Sequence, residues 1–567
     1  MRIAPLALAL ALTAPLALGC KGGGGGESAT DSTTSGADTS TSAGDTESGG
    51  DLPSCGDGDS ICITPLRSVD VLFVIDNSGS MAEEQALLAA NFASFIEILE
   101  SPKVRADYRI GITTTDSGNP MCPGSATTPE GGQLVLSSCV DRIPLGEFVF
   151  TGTDPVTDAS FACTESCSKG DAELAIQPSF TSADGVEKAR PWIERIAGQT
   201  NLPAGVSMTE AFQCFGPQGV AGCGFESPLE SLDRALARME SGSEASYGFL
   251  RDEALLAVIF LTDEVDCSYN PAHSEIFTDN KVFWNDPGDL YPTSAACWRA
   301  GVACAGPGPD YPECWSESHD VGGSPGASDD DAVLWPLGRY VDRLQAIEDE
   351  KRLINVEAEV IVSVIAGVPN DYPQNPQVFS EGGDAQFLSD FGIGPGCVSA
   401  SGGAAVPPVR LREFAEAFQV GDDTNLFSIC DDDYSPALAA IAEILSANLR
   451  PTCILDCVAD TDPQTPLLDP DCTIVNTDLE TKVPSVVPPC VDEGGEWTPP
   501  PGEPACHVIL VDPGGVTPSI DDDLSPICAD NGWNAEIVVI RADPKVKLNL
   551  TYSCKLSADP AVDCPGL

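Results

Sequence analysis

Three oxygen-bearing side chains, Asp76, Ser78 and Ser80, follow one apolar segment at alternate positions. The segment, residues 69–75, is an unbroken apolar run rich in β-branched residues, which predicts a strand buried on both faces of a parallel sheet. A helix-periodic segment follows Ser80 at once, and open α/β sheets bind ligands where a strand ends before a helix. Carboxylate and hydroxyl oxygens suit Mg2+, Mn2+ or Ca2+ and not zinc. The sequence therefore predicts a divalent-cation site here.

Two further apolar segments end in similar side chains. Residues 254–261 form a second fully apolar strand, which leads to Asp263. Another strand begins at Tyr108 and ends in Thr115 and Asp116. Because the carboxyl ends of parallel strands meet at one edge of a sheet, Thr115 and Asp116 are predicted near the cation as a second shell. The alternative is that they cap a loop.

The Asp-x-Ser-x-Ser pattern, set between a buried strand and a helix, resembles the metal-ion-dependent adhesion site of von Willebrand factor A-type domains. The resemblance implies a doubly wound, mostly parallel α/β sheet. It also implies that the hydroxyls of Ser78 and Ser80 bind the metal directly, while Asp76 and Asp263 act directly or through water. In such a site one coordination position, with Mg2+ the expected ion, stays open for a carboxylate from a partner.

The chain departs from the family pattern at one loop. A-type domains usually supply a metal-binding Thr just before a later helix, where this chain has Gly224 and Glu226. Glu226 is either a further carboxylate ligand or a helix N-terminal residue favoured by the helix dipole. The loop after Asp263 is also acidic, with Glu264 and Asp266, which suggests a second cation site; Asp266 is also a further candidate for the second shell. A solvated loop is the alternative for these two residues.

Composition limits the classes of function. The 28 Lys and Arg residues against 87 Asp and Glu give a net charge of -59, which repels nucleic acid. The chain has three His and no Cys pattern with zinc spacing. Ser78 is not in a Gly-x-Ser-x-Gly elbow, and the sequence has no phosphate-binding Gly-x4-Gly-Lys-Ser/Thr loop. We therefore expect no enzyme, but a protein that binds a protein or matrix ligand presenting an acidic residue. The alternatives are a structural envelope scaffold with a degenerate site and, less favoured, a metal-dependent hydrolase.

The N-terminus predicts export and a lipid anchor. Residues 1–19 have a basic start and a short apolar run, typical of a signal peptide. The signal ends in a lipobox-like Leu-Ala-Leu-Gly before Cys20, the predicted lipidation site and membrane anchor. Residues 20–53 are rich in Gly, Ser, Thr and Asp, which predicts a disordered tether. Because no Asp follows Cys20, the outer membrane is favoured over the inner membrane, within a cell-envelope location.

The remainder is predicted as two units. Residues 54–450 would form the A-type domain with an insertion at about 268–327, and residues 451–567 a small Cys-rich β module. Without Cys20 the 23 cysteines leave an even number, which predicts disulfides in an exported protein. The insertion's aromatic residues form either a partner-binding surface or a small core of their own; they are Trp284, Tyr291, Trp298 and Trp315.

Local patterns predict other features. Helices are expected at 82–101, 184–197, 332–352 and 410–418, in the segment that carries Leu229, Leu232 and Leu236, and after Ser435. A hairpin or edge strand is expected at 131–150. Pairs Cys55–Cys62 and Cys397–Cys430 are expected as disulfides, and the close spacing of Cys163 and Cys167 predicts a local disulfide or a turn.

Overall fold

The computed structural model describes residues 68–564 except for short gaps, which are 102–103, 105, 123–126, 153–154, 197, 253, 353–357, 422–423, 450–452, 455, 478–482, 493–496, 515, 518–522, 525–527, 530–531, 543–549 and 561–563. The predicted signal peptide, Cys20, the tether and the pair Cys55–Cys62 lie outside the described residues. Within the described part of the chain, no helix has the length and apolar character needed to cross a membrane.

The described residues form a mixed α/β structure. Its strands are β1 Ser68–Ile75, β2 Asp107–Thr114, β3 Val149–Phe150, β4 Thr157–Asp158, β5 Ile193–Ile196, β6 Gln199–Thr200, β7 Leu255–Leu261, β8 Val302–Cys304, β9 Asp310–Tyr311, β10 Cys314–Ser316, β11 Val360–Ala366, β12 Phe379–Ser380, β13 Cys397–Val398, β14 Ala404–Ala405, β15 Leu426–Ser428, β16 Cys472–Thr477, β17 Pro484–Val486, β18 Val491–Asp492, β19 Trp497–Thr498, β20 Ala505–Leu510, β21 Glu536–Arg541 and β22 Leu550–Cys554. Its helices are α1 Ala82–Asn91, α2 Ala93–Leu99, α3 Cys139–Arg142, α4 Phe161–Thr164, α5 Met208–Phe215, α6 Pro228–Glu240, α7 Ala295–Gly301, α8 Leu337–Arg352, α9 Ala385–Phe391, α10 Val409–Glu416 and α11 Ser435–Asn448. Two 3-10 helices span Ile143–Leu145 and Pro271–Phe277.

A mostly parallel sheet of 7 strands lies at the centre of the described residues, in the order β15-β11-β7-β1-β2-β5-β6. Strands β15, β11, β7, β1 and β2 run parallel. Strand β5 pairs antiparallel with β2, and β6 pairs antiparallel with β5. Strands β7 and β11 are buried throughout, and β1 is buried except at Ser68, because helices cover both faces of such a sheet. The predicted α/β class with a mostly parallel sheet is thus confirmed.

The two faces of β1 belong to different hydrophobic clusters. Phe73 and its odd-numbered neighbours pack with α1, α2, α5 and α11. Leu72 and Val74 pack with α6, α8 and α10 on the other face. The first cluster contains a stack of rings, in which the centroids of Phe92 and Phe212 lie 3.5 Å apart. Phe92 also separates α1 from α2, so the single helix predicted over 82–101 is two helices.

Two local predictions are wrong. Residues 184–197 do not form a helix, because Ile193–Ile196 pairs with β2 and Glu194 forms an ion pair with Arg109 at 2.8 Å. The predicted hairpin at 131–150 is a loop followed by α3, a 3-10 turn and the two-residue β3. The alternating pattern there arises because Leu134 and Phe148 fill gaps in the core from irregular backbone.

Disulfides connect distant parts of the described chain. They are Cys122–Cys223, Cys139–Cys163, Cys167–Cys214, Cys267–Cys297, Cys304–Cys314, Cys397–Cys430, Cys453–Cys528, Cys457–Cys564, Cys472–Cys554 and Cys490–Cys506. Cys397–Cys430 is confirmed. The predicted local disulfide between Cys163 and Cys167 is wrong, since each pairs with a cysteine from another element. The alternative, a turn, is confirmed, because the Cys167 N–H donates to Cys163 O at 2.8 Å. Disulfides persist in oxidising compartments, so this chain folds outside the cytoplasm.

The insertion shares an apolar cluster with neighbouring segments of the chain, and the C-terminal region has clusters of its own. Trp284 and Trp298 of the insertion are buried in a cluster with Val409 and the disulfide Cys267–Cys297, and Tyr291 is exposed. The C-terminal region is Cys-rich and β-rich, with strands β16 to β22, and its clusters contain only residues beyond 452.

Candidate metal centre

The register of the central sheet brings three strand ends together. Ile75 is paired with Thr114 on one side and with Leu261 on the other. The next backbone groups continue both ladders: the N–H of Asp76 donates to Leu261 O at 2.9 Å, and the N–H of Thr115 donates to Ile75 O at 3.2 Å. Asp76 and Thr115 therefore lie side by side at the carboxyl edge, with the β7 end on the other flank.

The loop after β1 is held in a tight turn by the Asp76 carboxylate. Its Oδ1 accepts the Ser78 N–H at 2.8 Å, and its Oδ2 accepts the Thr262 hydroxyl at 2.6 Å. This turn brings the Ser78 and Ser80 hydroxyl oxygens to 3.2 Å from each other. Ser78 is buried and Ser80 is exposed, so the hydroxyl pair can be reached from solvent.

Glu226 lies in the loop just before α6. Its carboxylate is fully buried, and Oε2 accepts a hydrogen bond from the Thr115 hydroxyl. Asp116 accepts the N–H groups of Gly118 and Cys223, at 2.8 and 3.2 Å, and thereby joins the β2 end to the same loop. The predicted second-shell residues Thr115 and Asp116 are thus in contact with the loop that bears Glu226.

Several buried carboxylate oxygens at this edge have no hydrogen-bond partner among the described residues. They are Glu84 Oε2, Glu226 Oε1, Asp263 Oδ1 and Glu264 Oε2. The Asn77 Oδ1 atom is buried and unpartnered as well. Buried polar atoms are normally satisfied, because an unpaired one costs its full desolvation free energy. A cation among these oxygens would satisfy them.

Burial and like charge raise the pKa of these carboxyl groups, which we name the acidic cluster: Asp76, Glu84, Asp116, Glu226, Asp263 and Glu264. Burial raises the pKa of Asp76 to about 6 and that of Glu84 to about 7. For Glu226, Asp263 and Glu264, burial and then the neighbouring carboxylates raise the pKa well above its ordinary value.

The donor set fits a hard divalent cation. The groups are hydroxyl and carboxylate oxygens, the ligands that Mg2+ and Ca2+ prefer. Among the described residues, one group of three Asp, Glu, His or Cys side chains brings its ligand atoms within 4.8 Å of one another. This group is Cys139, Cys163 and Cys167, and these cysteines are already in disulfides. The carboxylates of the acidic cluster are spaced more widely. Ser78 and Ser80 would therefore bind the ion directly, and Asp76, Glu226 and Asp263 mainly through water.

Asp266, the other predicted second-shell residue, has a different partner. Its Oδ2 accepts from Arg410 Nε at 2.8 Å, and both side chains are almost fully buried. Its Oδ1 accepts the Ser268 hydroxyl. Asp266 thus anchors the chain after the site and is not part of the acidic cluster.

Sequence reasoning missed Glu84 and Gln85 at the start of α1. Gln85 is fully buried: its amide nitrogen donates to Asp76 O at 2.7 Å and to Gly219 O at 2.8 Å, and its amide oxygen accepts the N–H groups of Gln218 and Gly219. It therefore joins the Asp76 turn to the loop that leads to Glu226. The sequence offers only a weak signal for Gln85. It is one of the polar residues in the first turn of the helix, and such residues ordinarily face solvent.

Replacing Gly222 by Ala is expected to weaken cation binding. The Gly222 N–H donates to Asn77 O at 2.8 Å, and an added Cβ would lie 2.2 Å from Asn77 Oδ1. The loop must move away from the Asp76 turn, at a cost of about 1–3 kcal/mol. Thermal unfolding and Mg2+ calorimetry would measure this. Gly224→Ala is the matched control, because an added Cβ there meets no atom within 4 Å. Equal behaviour of the two variants would contradict the predicted packing.

Cation affinity is expected to fall as the pH is lowered from about 7.5 to about 5. Protons and the cation compete for the same carboxylates, and the pKa values of Asp76 and Glu84 are raised to about 6 and about 7. Each displaced proton changes the affinity by about tenfold per pH unit below the pKa. Mg2+ calorimetry across this range, with buffers of different ionisation enthalpy, gives both the affinity and the number of protons released. A pH-independent affinity would contradict the assignment.

Comparisons with known proteins give little further information. Neither the family models nor the curated proteins match this sequence. Among solved structures, the pilus adhesin SpaC from Lactobacillus rhamnosus GG aligns with a TM-score of 0.25 and 10% identity, over 89% of this chain and 53% of that one. Its open conformation gives 0.24, 10%, 89% and 52%. The pilus adhesin RrgA from Streptococcus pneumoniae gives 0.23, 10%, 88% and 58%. The chain thus spans about half the length of these adhesins, and a similarity this low supports no assignment.

Proposed function

We propose that this chain contains an A-type domain that binds a divalent cation, Mg2+ first, at Ser78 and Ser80, and uses the cation to capture a carboxylate of a protein or matrix ligand. The observation that carries the proposal is the hydroxyl pair, 3.2 Å apart and reachable at Ser80, beside buried carboxylates with unpartnered oxygens. Mg2+ takes six oxygen ligands, so protein groups and water leave a position for an outside carboxylate.

Binding, and not catalysis, is the activity that these groups support. The side chains at the site are carboxylates, hydroxyls and amides. The three histidines have other contacts: His273 with Asp330 O, His319 with Ala300 O and His507 with Val487 O. No histidine is therefore placed among the described side chains of the site, so a hydrolase would have to use one of its carboxylates as the general base. In a cell-envelope lipoprotein anchored at Cys20, such a site would serve adhesion or the assembly of a complex.

The proposal is tested with immobilised peptides that carry one Asp in a Ser-rich context. The purified full chain should bind them in Mg2+, lose binding in chelator, and fail to bind the same peptides with Asn for Asp. The Asp76→Ala variant should not bind in any condition. Binding that persists in chelator, or that is equal for the Asn peptides, would exclude capture of a carboxylate by a cation. A chain that binds Mg2+ but none of the Asp peptides would hold a structural ion, and a chain that binds no Mg2+ would have the degenerate site of the scaffold alternative.

A further inference from the structure

The insertion reaches the candidate metal centre. The Ser294 hydroxyl, at the start of α7, donates to Gly224 O at 3.0 Å, and Gly224 lies two residues before Glu226. The disulfide Cys267–Cys297 fastens α7 to the chain that leaves the end of β7. The residues immediately before Ser294 therefore approach the loop that bears Gly224 and Glu226.

These residues form an ordered tip with two exposed apolar side chains. Leu290 is 84% exposed and Tyr291 is 69% exposed, whereas Trp284 and Trp298 of the same insertion are buried. The tip is held by the Thr293 hydroxyl, which donates to Ser389 O at 2.8 Å. A large apolar pair that is held out of the core on an ordered loop is typical of a contact surface, where Tyr is enriched.

The charge of the insertion surface is strongly negative. Residues 268–335 cover the insertion and the short segment that follows it. The Lys and Arg residues in this range are Lys281 and Arg299. Both are engaged: Lys281 Nζ donates to Asp289 O and lies over the Trp284 ring, and Arg299 donates to Asn285 Oδ1. The acidic residues are Glu275, Asp279, Asp286, Asp289, Asp310, Glu313, Glu317, Asp320, Asp329, Asp330 and Asp331.

We infer that the insertion tip, Leu290 and Tyr291 with the acidic residues around them, is a docking surface for a Lys- and Arg-rich protein surface that also presents the carboxylate captured at the cation. This inference rests on the proposed function. A carboxylate approaching the acidic cluster meets repulsion until it reaches the ion, and basic neighbours on the partner offset that repulsion. The chain's net charge of -59 steers basic partners in the same way.

The test uses beads that display peptides with a single Asp among Lys, Ser or Glu residues. In saturating Mg2+, the purified full chain should bind the Lys-context peptide about tenfold more tightly than the Ser-context peptide, and the Glu-context peptide least. The advantage should shrink as NaCl rises from about 0.05 to about 0.5 M. The double variant Leu290→Ser and Tyr291→Ser should lose about tenfold in Lys-context binding and keep its Mg2+ affinity.

Leu145→Ser is the matched control, since Leu145 is also exposed, at 72%, but lies outside the insertion. Equal binding of the three contexts, or a double variant that behaves like Leu145→Ser, would overturn the inference while Mg2+-dependent Asp binding still upheld the proposed function. If no context bound the chain, or no Mg2+ bound, the proposed function would fail together with the inference.

Discussion

Replacing Asp76 by Asn is expected to stabilise the protein in chelator and to make it less stable than the wild type in saturating Mg2+. In chelator near pH 7.5 the wild type must hold a charged Asp76 among other buried carboxylates, and its pKa is raised from 3.8 to about 6. A shift of that size means that keeping Asp76 charged costs the folded state about 3 kcal/mol, and the neutral Asn side chain avoids this cost. Asn also keeps an oxygen for the Ser78 N–H and a polar group for Thr262.

The sign follows from proton linkage. A pKa that is raised in the folded state means that the folded chain binds more protons at this group than the unfolded chain does. The contribution of Asp76 to the free energy of unfolding is therefore highest below about pH 4 and falls as the pH rises through about 6. The Asp76→Asn substitution would remove this slope. In Mg2+ at a concentration 1,000 times the Kd the wild type gains about 4.1 kcal/mol, which exceeds the advantage of the variant in chelator, and the variant gains little.

The measurement is thermal unfolding of both proteins in chelator and in Mg2+. The control is Asp432→Asn, because Asp432 is an exposed carboxylate in the loop that follows β15 at the same edge of the sheet. It should shift neither curve appreciably. If Asp76→Asn were less stable than the wild type in both conditions, the Asp76 carboxylate would be a structural hydrogen-bond acceptor and not part of a cation site.

Replacing Asp266 by Asn is expected to destabilise the protein by about 3–5 kcal/mol and to leave its Mg2+ affinity nearly unchanged. The change leaves the Arg410 guanidinium, 2% exposed, without the carboxylate that it contacts at 2.8 Å. Arg410 also donates to Trp335 O at 2.7 Å, so it joins the insertion to the chain that follows the site. Removing one partner of a buried ion pair is costly because the other stays charged and buried.

The urea midpoint, measured with disulfides intact, would report the stability, and calorimetry would report the affinity. Glu313→Gln is a suitable control, because Glu313 is an exposed carboxylate of the insertion. A loss of Mg2+ affinity of about tenfold or more without loss of stability would return Asp266 to the second shell of the cation, as its position in the sequence first suggested.

The parts of the fold that could be predicted were those governed by apolar runs. Strands β1, β7 and β11 are buried on both faces, so their sequences are continuously apolar and their ends are marked by polar residues. The strand ends then placed Asp76 and Asp263 at one edge. Short edge strands carry too little pattern, and β5 was mistaken for helix because its pairing with β2 outweighs local preference.

The rest of the site depends on tertiary contacts that spacing does not encode. Glu84 and Glu264 look like surface residues in the sequence, yet both have buried, unpartnered oxygens once the loops close over them. Gln85 contacts residues more than 130 positions away. Asp266 stands three residues after Asp263 but pairs with Arg410, 144 positions on. Such choices are decided by which loops meet above the sheet.

The most direct test of the account is a crystal structure of the full chain soaked in Mn2+, with an anomalous difference map. We expect one strong peak between the hydroxyl oxygens of Ser78 and Ser80, at about 2.0–2.3 Å from each oxygen. The peak should be lost in the Asp76→Ala variant. A map with no peak at the hydroxyl pair under saturating Mn2+, or with peaks confined to exposed acidic loops such as Asp432 and Asp433, would contradict the assignment of a cation site at this edge.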